Sequence, residues 1–175
     1  MDRHRSRWLL LALAIATGTA LANGPRVLRA GLSGDEEVPA VSTTGKGQLR
    51  LFVYPEQTTI SYELSYSGLQ ADATQAHIHF GQPAVNGGIS VFLCSNLGNG
   101  PTGTQPCPLR GGTISGTITA ASVLGPDAQG IAPGEIDALV NALREQLTYV
   151  NVHSTRWTGG EIRGQIGNGR GGHHH

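Results

Sequence analysis

Apolar residues recur at every second position along most of this chain, and that rhythm constrains the fold more than any other feature. Ile60, Tyr62, Leu64 and Tyr66 alternate with serine and glutamate, and Leu49, Leu51 and Val53 alternate with Gln48, Arg50 and Phe52. A period of two puts one set of side chains on one face of a strand and the other set on the opposite face. The segment 55–58 between these runs (Pro-Glu-Gln-Thr) reads as a turn, so the two runs form a hairpin. Further strands are expected at 27–33, 75–80, 88–94, 112–119, 148–153 and 160–166, separated by clusters of Gly, Pro, Asn and Ser. The 26 glycines suit many tight turns rather than long helices. The expected fold is all-β, an antiparallel, Greek-key-like β-sandwich or barrel.

One segment departs from this rhythm. Over 133–146, Ile136, Leu139, Val140 and Leu143 share a helical face, with Pro133 and Glu135 at its start and Arg144 near its end. A short helix capping one end of the sandwich is expected there. The stretch 124–132 before it reads as a flexible insertion.

The ends of the chain read differently from the body. Arg3, Arg5 and Arg7, the apolar run 8–16 and the small-x-small step Ala20-Leu21-Ala22 have the form of a secretory signal peptide over 1–22. That run is shorter than the roughly 20 residues needed to span a bilayer, and no later segment approaches that length. The expected location is periplasmic or secreted. The body, 23–166, fits one domain, and 167–175 reads as a flexible Gly/His tail. The body carries a slight negative charge and no basic cluster, which argues against a nucleic-acid partner. The only two cysteines, Cys94 and Cys107, suit an oxidising compartment and are expected to form one disulfide across a Gly/Pro-rich loop.

Histidine placement carries the chemistry. Apart from His4 in the leader and the terminal His173, His174 and His175, the chain has only His77, His79 and His153. His77 and His79 form an H-x-H on an expected strand, so both imidazoles leave the same face, with Ala76, Ile78 and Phe80 on the other. His153 follows Val150 and Val152 in the same alternation, with Tyr149 and Asn151 on its own face. With the apolar sets facing the core, all three histidines project outward, where the loops 81–87, 95–111 and 154–160 can fold over them. Either they are ordinary polar strand residues bonded across the sheet, or they bind a metal. Three neutral imidazoles with an open position suit copper or, alternatively, zinc.

Several segments, in order, resemble the chordin-type CHRD domain: Leu-Ser-Gly-Asp-Glu-Glu-Val-Pro at 32–39, Ser-Tyr-Glu-Leu-Ser-Tyr-Ser-Gly-Leu at 61–69, Ala-His-Ile-His at 76–79, Tyr-Val-Asn-Val-His at 149–153 and Gly-Gly-Glu-Ile-Arg-Gly-Gln-Ile at 159–166. The resemblance spans about residues 28–166 and implies an extracytoplasmic β-sandwich; it says less about function. Ala-His-Ile-His-Phe-Gly is also similar to the H-x-H strand of copper/zinc superoxide dismutases, and Val-Asn-Val-His to the strand bearing a later copper histidine there. The further ligand histidines of those enzymes are absent, so a bridged two-metal site is excluded and a single copper site is not.

That likeness implies a role for Arg163 as a guide for a small anion such as superoxide; the plainer reading is a cross-strand ion pair with Glu161, which shares its face. Asn151 and Glu161 are candidate supports that hydrogen-bond and orient the ligands, or simple strand residues. Asp35, Glu36 and Glu37 form the only acidic run, and it reads as a solvated loop. The functional expectation is a metal-binding extracytoplasmic protein, with superoxide dismutation as its possible chemistry. The alternative is a non-catalytic metal holder or a matrix or adhesion module.

Overall fold

The computed structural model describes residues 24–54 and 59–168. The expected signal peptide, the turn at 55–58 and most of the C-terminal tail with its three histidines lie outside them. Eight strands follow in chain order: Arg26–Ser33 (β1), Lys46–Val53 (β2), Ile60–Ser67 (β3), Ala73–Phe80 (β4), Gly88–Ser95 (β5), Gly112–Ile118 (β6), Thr148–Ser154 (β7) and Ile162–Gln165 (β8). Every pairing is antiparallel.

All eight belong to one sheet in the order β5-β4-β7-β8-β1-β2-β3-β6. The sheet curls into a nearly closed barrel rather than two separate layers. Its two edges, β5 and β6, do not pair. The gap between them is bridged by side chains: the Tyr62 hydroxyl donates to Leu93 O at 3.0 Å, and Gln105 Nε2 donates to the Tyr62 hydroxyl and to Ser115 O. The expected disulfide is formed, Cys94 in β5 to Cys107, and ties this connecting loop to the β5 edge. The loop 95–111 therefore serves the seam, and its Asn99 side chain also donates to Gln75, two residues before His77 on β4. A cavity of about 430 Å³ lies along the seam, lined by Tyr62, Phe92, Gln105 and Thr117 among others.

The apolar phase of each strand fills the barrel. Leu28, Leu51, Ile60, Leu64, Ile78, Val150, Val152 and Ile162 are fully buried. Burying side chains of this size contributes roughly 1.5–3 kcal/mol each. The helix forms over Ile136–Arg144 (α1) and buries Ile136, Leu139, Ala142 and Leu143 against this core, with Val140 only partly covered. The preceding stretch is not loose. Ile131 is buried, Leu124 N donates to Ser90 O, and the Gln129 side chain accepts from Gly88 N. Among the described residues no helix is long and apolar enough to cross a membrane.

Candidate metal centre

β4 and β7 are neighbours, and their register places His77 opposite Asn151 and Gln75 opposite His153. Because Ala76, Ile78, Val150 and Val152 point into the barrel, the alternate residues emerge together on its outer face. His77, His79, Tyr149, Asn151 and His153 form one patch there. The expectation about strand phase holds, but the outer face is not open: His77 is fully buried and His79 and His153 nearly so. Two expected loops, 81–87 and 154–160, cover them. So does a segment not anticipated, the 3₁₀ turn Gly34–Glu36 and the residues after it, where Asn86 Nδ2 donates to Val38 O.

One ring nitrogen from each histidine lies within 4.8 Å of the others. His77 Nδ1 and His153 Nε2 are 3.2 Å apart. The loops fix two of the rings. His79 Nδ1 lies 2.9 Å from Gly87 O, and His153 Nδ1 lies 2.9 Å from Thr158 O. A carbonyl oxygen only accepts, so both Nδ1 atoms carry the proton and both Nε2 atoms present a lone pair. His79 Nε2 is buried with no hydrogen-bond partner, as is His77 Nε2. Burial lowers the pKa of all three: His77 to about 2, with repulsion from His153 and His79 adding to it, and His79 to about 4, against the Gly87 hydrogen bond. The cluster is neutral at physiological pH, the state that ligates metal. Orphaned, oriented lone pairs on buried neutral imidazoles fit a cation of the copper or zinc type, since a ring whose second nitrogen is fixed by a carbonyl is the usual form of a metal-ligating histidine.

The surrounding residues complete the picture. Tyr149 stacks on His79, with ring centroids 4.7 Å apart and planes 4° apart. The Arg163 guanidinium carbon lies 3.5 Å from the Tyr149 ring centroid. Arg163 itself is 2 % exposed, and its guanidinium donates to Asn86 Oδ1, Gln82 O and Val85 O. It clamps the 82–86 loop and does not pair with Glu161, which corrects the expected cross-strand ion pair. Glu161 is fully buried and its Oε1 accepts from the Thr43 hydroxyl and from Gln70 N. It is turned toward those partners and makes no hydrogen bond to the histidines. Asn151 turns its Oδ1 to His153 Nε2, at 3.1 Å.

Sequence reasoning missed Glu37. Asp35 and Glu36 are exposed as expected of an acidic loop, but Glu37 is buried. Desolvation raises its pKa to about 7 against the opposing pull of Arg163 and Asn151. Gly160 makes room for it: a Cβ there would lie 2.2 Å from Glu37 Oε1 and 2.9 Å from Asn151 Nδ2. A lone glutamate in a polar run carries no signal of burial; the only hint was the paired glycine at 159–160.

The fold and site define a nearly closed antiparallel β-barrel with a buried three-histidine cluster under loops on its outer wall. The family model of the CHRD domain matches residues 28–166, and the chain belongs to that family. No curated protein and no solved structure matches the chain.

Proposed function

We propose that this CHRD-domain protein holds a single metal ion at His77, His79 and His153, outside the cytoplasm, in the periplasm or secreted. The observation that carries this reading is the pair of carbonyls, Gly87 O and Thr158 O, that set the lone pairs of His79 and His153 toward His77. Copper is favoured over zinc because it binds nitrogen sites more strongly. The leader-like N-terminus and the disulfide support an oxidising location.

Copper, when bound, supplies one-electron exchange with a small anion such as superoxide. For that reaction this chain would have to admit the anion to the ion and offer Arg163 to it. Burial of all three histidines, and engagement of Arg163 by the 82–86 loop, favour a non-catalytic holder over a dismutase. No observation favours a matrix or adhesion module.

The test is metal analysis of protein in which His173, His174 and His175 are replaced. One equivalent of copper in that protein, and none in its His153→Ala variant, is the expected result. Equal metal content in both sinks the reading. Superoxide decay in the presence of chelator then separates the two uses: a rate no higher in copper-loaded than in metal-free protein is expected of a holder.

A further inference from the structure

Four polar atoms converge at the centre of the cluster, and they have one donor among them. His153 Nε2 and His79 Nε2 are acceptors, because the protons of those rings are committed to Thr158 O and Gly87 O. His77 Nδ1–H serves as donor to His153 Nε2, at 3.2 Å. The fourth atom is Asn151 Oδ1, 3.1 Å from His153 Nε2. An amide oxygen and an unprotonated imidazole nitrogen are both acceptors, so this contact is not a hydrogen bond; two lone pairs face each other.

Flipping the amide does not relieve the conflict. Nδ2 would then face His153, but Oδ1 would move into the position of Nδ2, beside the Glu37 carboxylate across Gly160. Either orientation of the amide sets its oxygen against an acceptor, His153 Nε2 on one side or a carboxylate oxygen of Glu37 on the other, and in the structure Oδ1 is on the histidine side and Nδ2 lies beside Gly160. A buried conflict of this kind is relieved by a cation between the lone pairs.

The spacing agrees. Donors about 2.0–2.1 Å from one ion at the tetrahedral angle lie about 3.3 Å apart. The two short separations at His153 Nε2, 3.2 Å to His77 Nδ1 and 3.1 Å to Asn151 Oδ1, are edges of that size, with His77 ligating through Nδ1 as the tautomer that carries its proton on Nε2. We propose that Asn151 Oδ1 is a fourth protein ligand, giving a closed site of three imidazoles and one amide oxygen. This rests on the reading of the three histidines as a metal site. It also gives that reading a physical reason for holding rather than catalysis, because a closed site keeps no open position for a substrate.

The test uses cobalt(II) alone as the probe, titrated into the full chain with His173, His174 and His175 replaced. Wild-type protein should take one equivalent with the intense visible bands of four-coordinate cobalt. Asn151→Ala should lower affinity by about 10–100-fold or more, the range known for lesser supporting contacts, and weaken those bands as water enters. Asn151→Asp combined with Glu37→Gln, which keeps an oxygen toward His153 and replaces the carboxylate facing the second one, should retain them. Asn151→Ala with unchanged affinity and spectrum overturns the proposal while leaving the three-histidine site intact. Failure of wild-type protein to bind, or equal binding by His153→Ala, overturns the site itself. If Asn151→Ala does not fold, the double variant Asn151→Asp with Glu37→Gln decides: a spectrum of wild-type intensity supports the fourth ligand, and a weak one sinks it.

Discussion

His77 Nδ1 lies 3.2 Å from His153 Nε2 across 76 residues of sequence. No turn or helix brings them together; the β4–β7 pairing does, and β7 reaches β4 only after the chain has built β5, β6 and α1. The cluster is therefore a product of the finished barrel, and its energetics are coupled to folding.

Acid should destabilise the metal-free protein. The three histidine pKa values are lowered in the fold, so the unfolded chain, titrating near 6.5, takes up protons first, and stability falls as pH drops below about 6.5. For His79 the loss continues to about pH 4, and for His77 to about pH 2. Glu37 works in the opposite direction. Its raised pKa means that the folded state holds a proton between about 7 and the unfolded value of 4.5, so stability gains from it as pH falls through that window. Arg163 and Tyr149, which also face this cluster, stay in one charge state throughout that range. Three groups outweigh one. Urea midpoints in chelator should be lower at pH 5 than at pH 7.5, and Glu37→Gln should steepen the decline; a midpoint that rises on acidification refutes this account.

Metal should stabilise the fold by mass action. Free copper or zinc at about 100 times its dissociation constant would add about 2.7 kcal/mol. The shift in Tm should be absent in His153→Ala and should persist at pH 5, because burial keeps the folded histidines unprotonated there, with His77 at about 2 and His79 at about 4. An equal shift in wild type and variant means that the ion binds elsewhere.

Arg163→Leu should loosen the cover of the site. The guanidinium holds Asn86 Oδ1, Gln82 O and Val85 O, and its loss leaves those acceptors without their charged donor. The cost should be about 2–4 kcal/mol, since bonds to a charged group contribute roughly 1.5–3 each and are not additive. Hydrogen exchange should quicken at Val85 and Gly87 while one equivalent of metal still binds. Unchanged protection there contradicts the clamp.

Replacing both Cys94 and Cys107 by Ala should cost about 3 kcal/mol, the chain-entropy contribution of a loop of this length. The damage should concentrate at the seam, where the outer edges of β5 and β6 are not paired with each other, so exchange at Leu93 and Ser95 should rise more than at Ile78. Uniform acceleration across the barrel speaks against a local role.

Much of this was legible from residues alone. The alternation of Ile60, Tyr62, Leu64 and Tyr66 is a local record of burial, because a strand that buries one face must repeat with period two. The same rule assigned His77, His79, Asn151 and His153 to faces away from the core, and the helix over 136–144 announced itself by its apolar stripe. The paired cysteines needed only their compartment.

What the sequence determined by itself, then, was the all-β class, the phase of each strand, the three histidines as a set and their side of the sheet. Each follows from short-range periodicity, which the chain carries wherever it folds. Tertiary structure alone decided that one sheet curls into a barrel, that β4 lies beside β7, that Glu37 is buried while Asp35 and Glu36 are exposed, and that Arg163 is buried against the 82–86 loop. It also decided which oxygen faces which nitrogen around His153. Those outcomes depend on loops meeting across the fold: Gly87 and Thr158 from two connections, Asn86 reaching Val38, and Gly160 yielding space to Glu37. Contacts between distant segments leave no periodic trace in a single chain, because the partners are chosen by packing rather than by their neighbours in sequence.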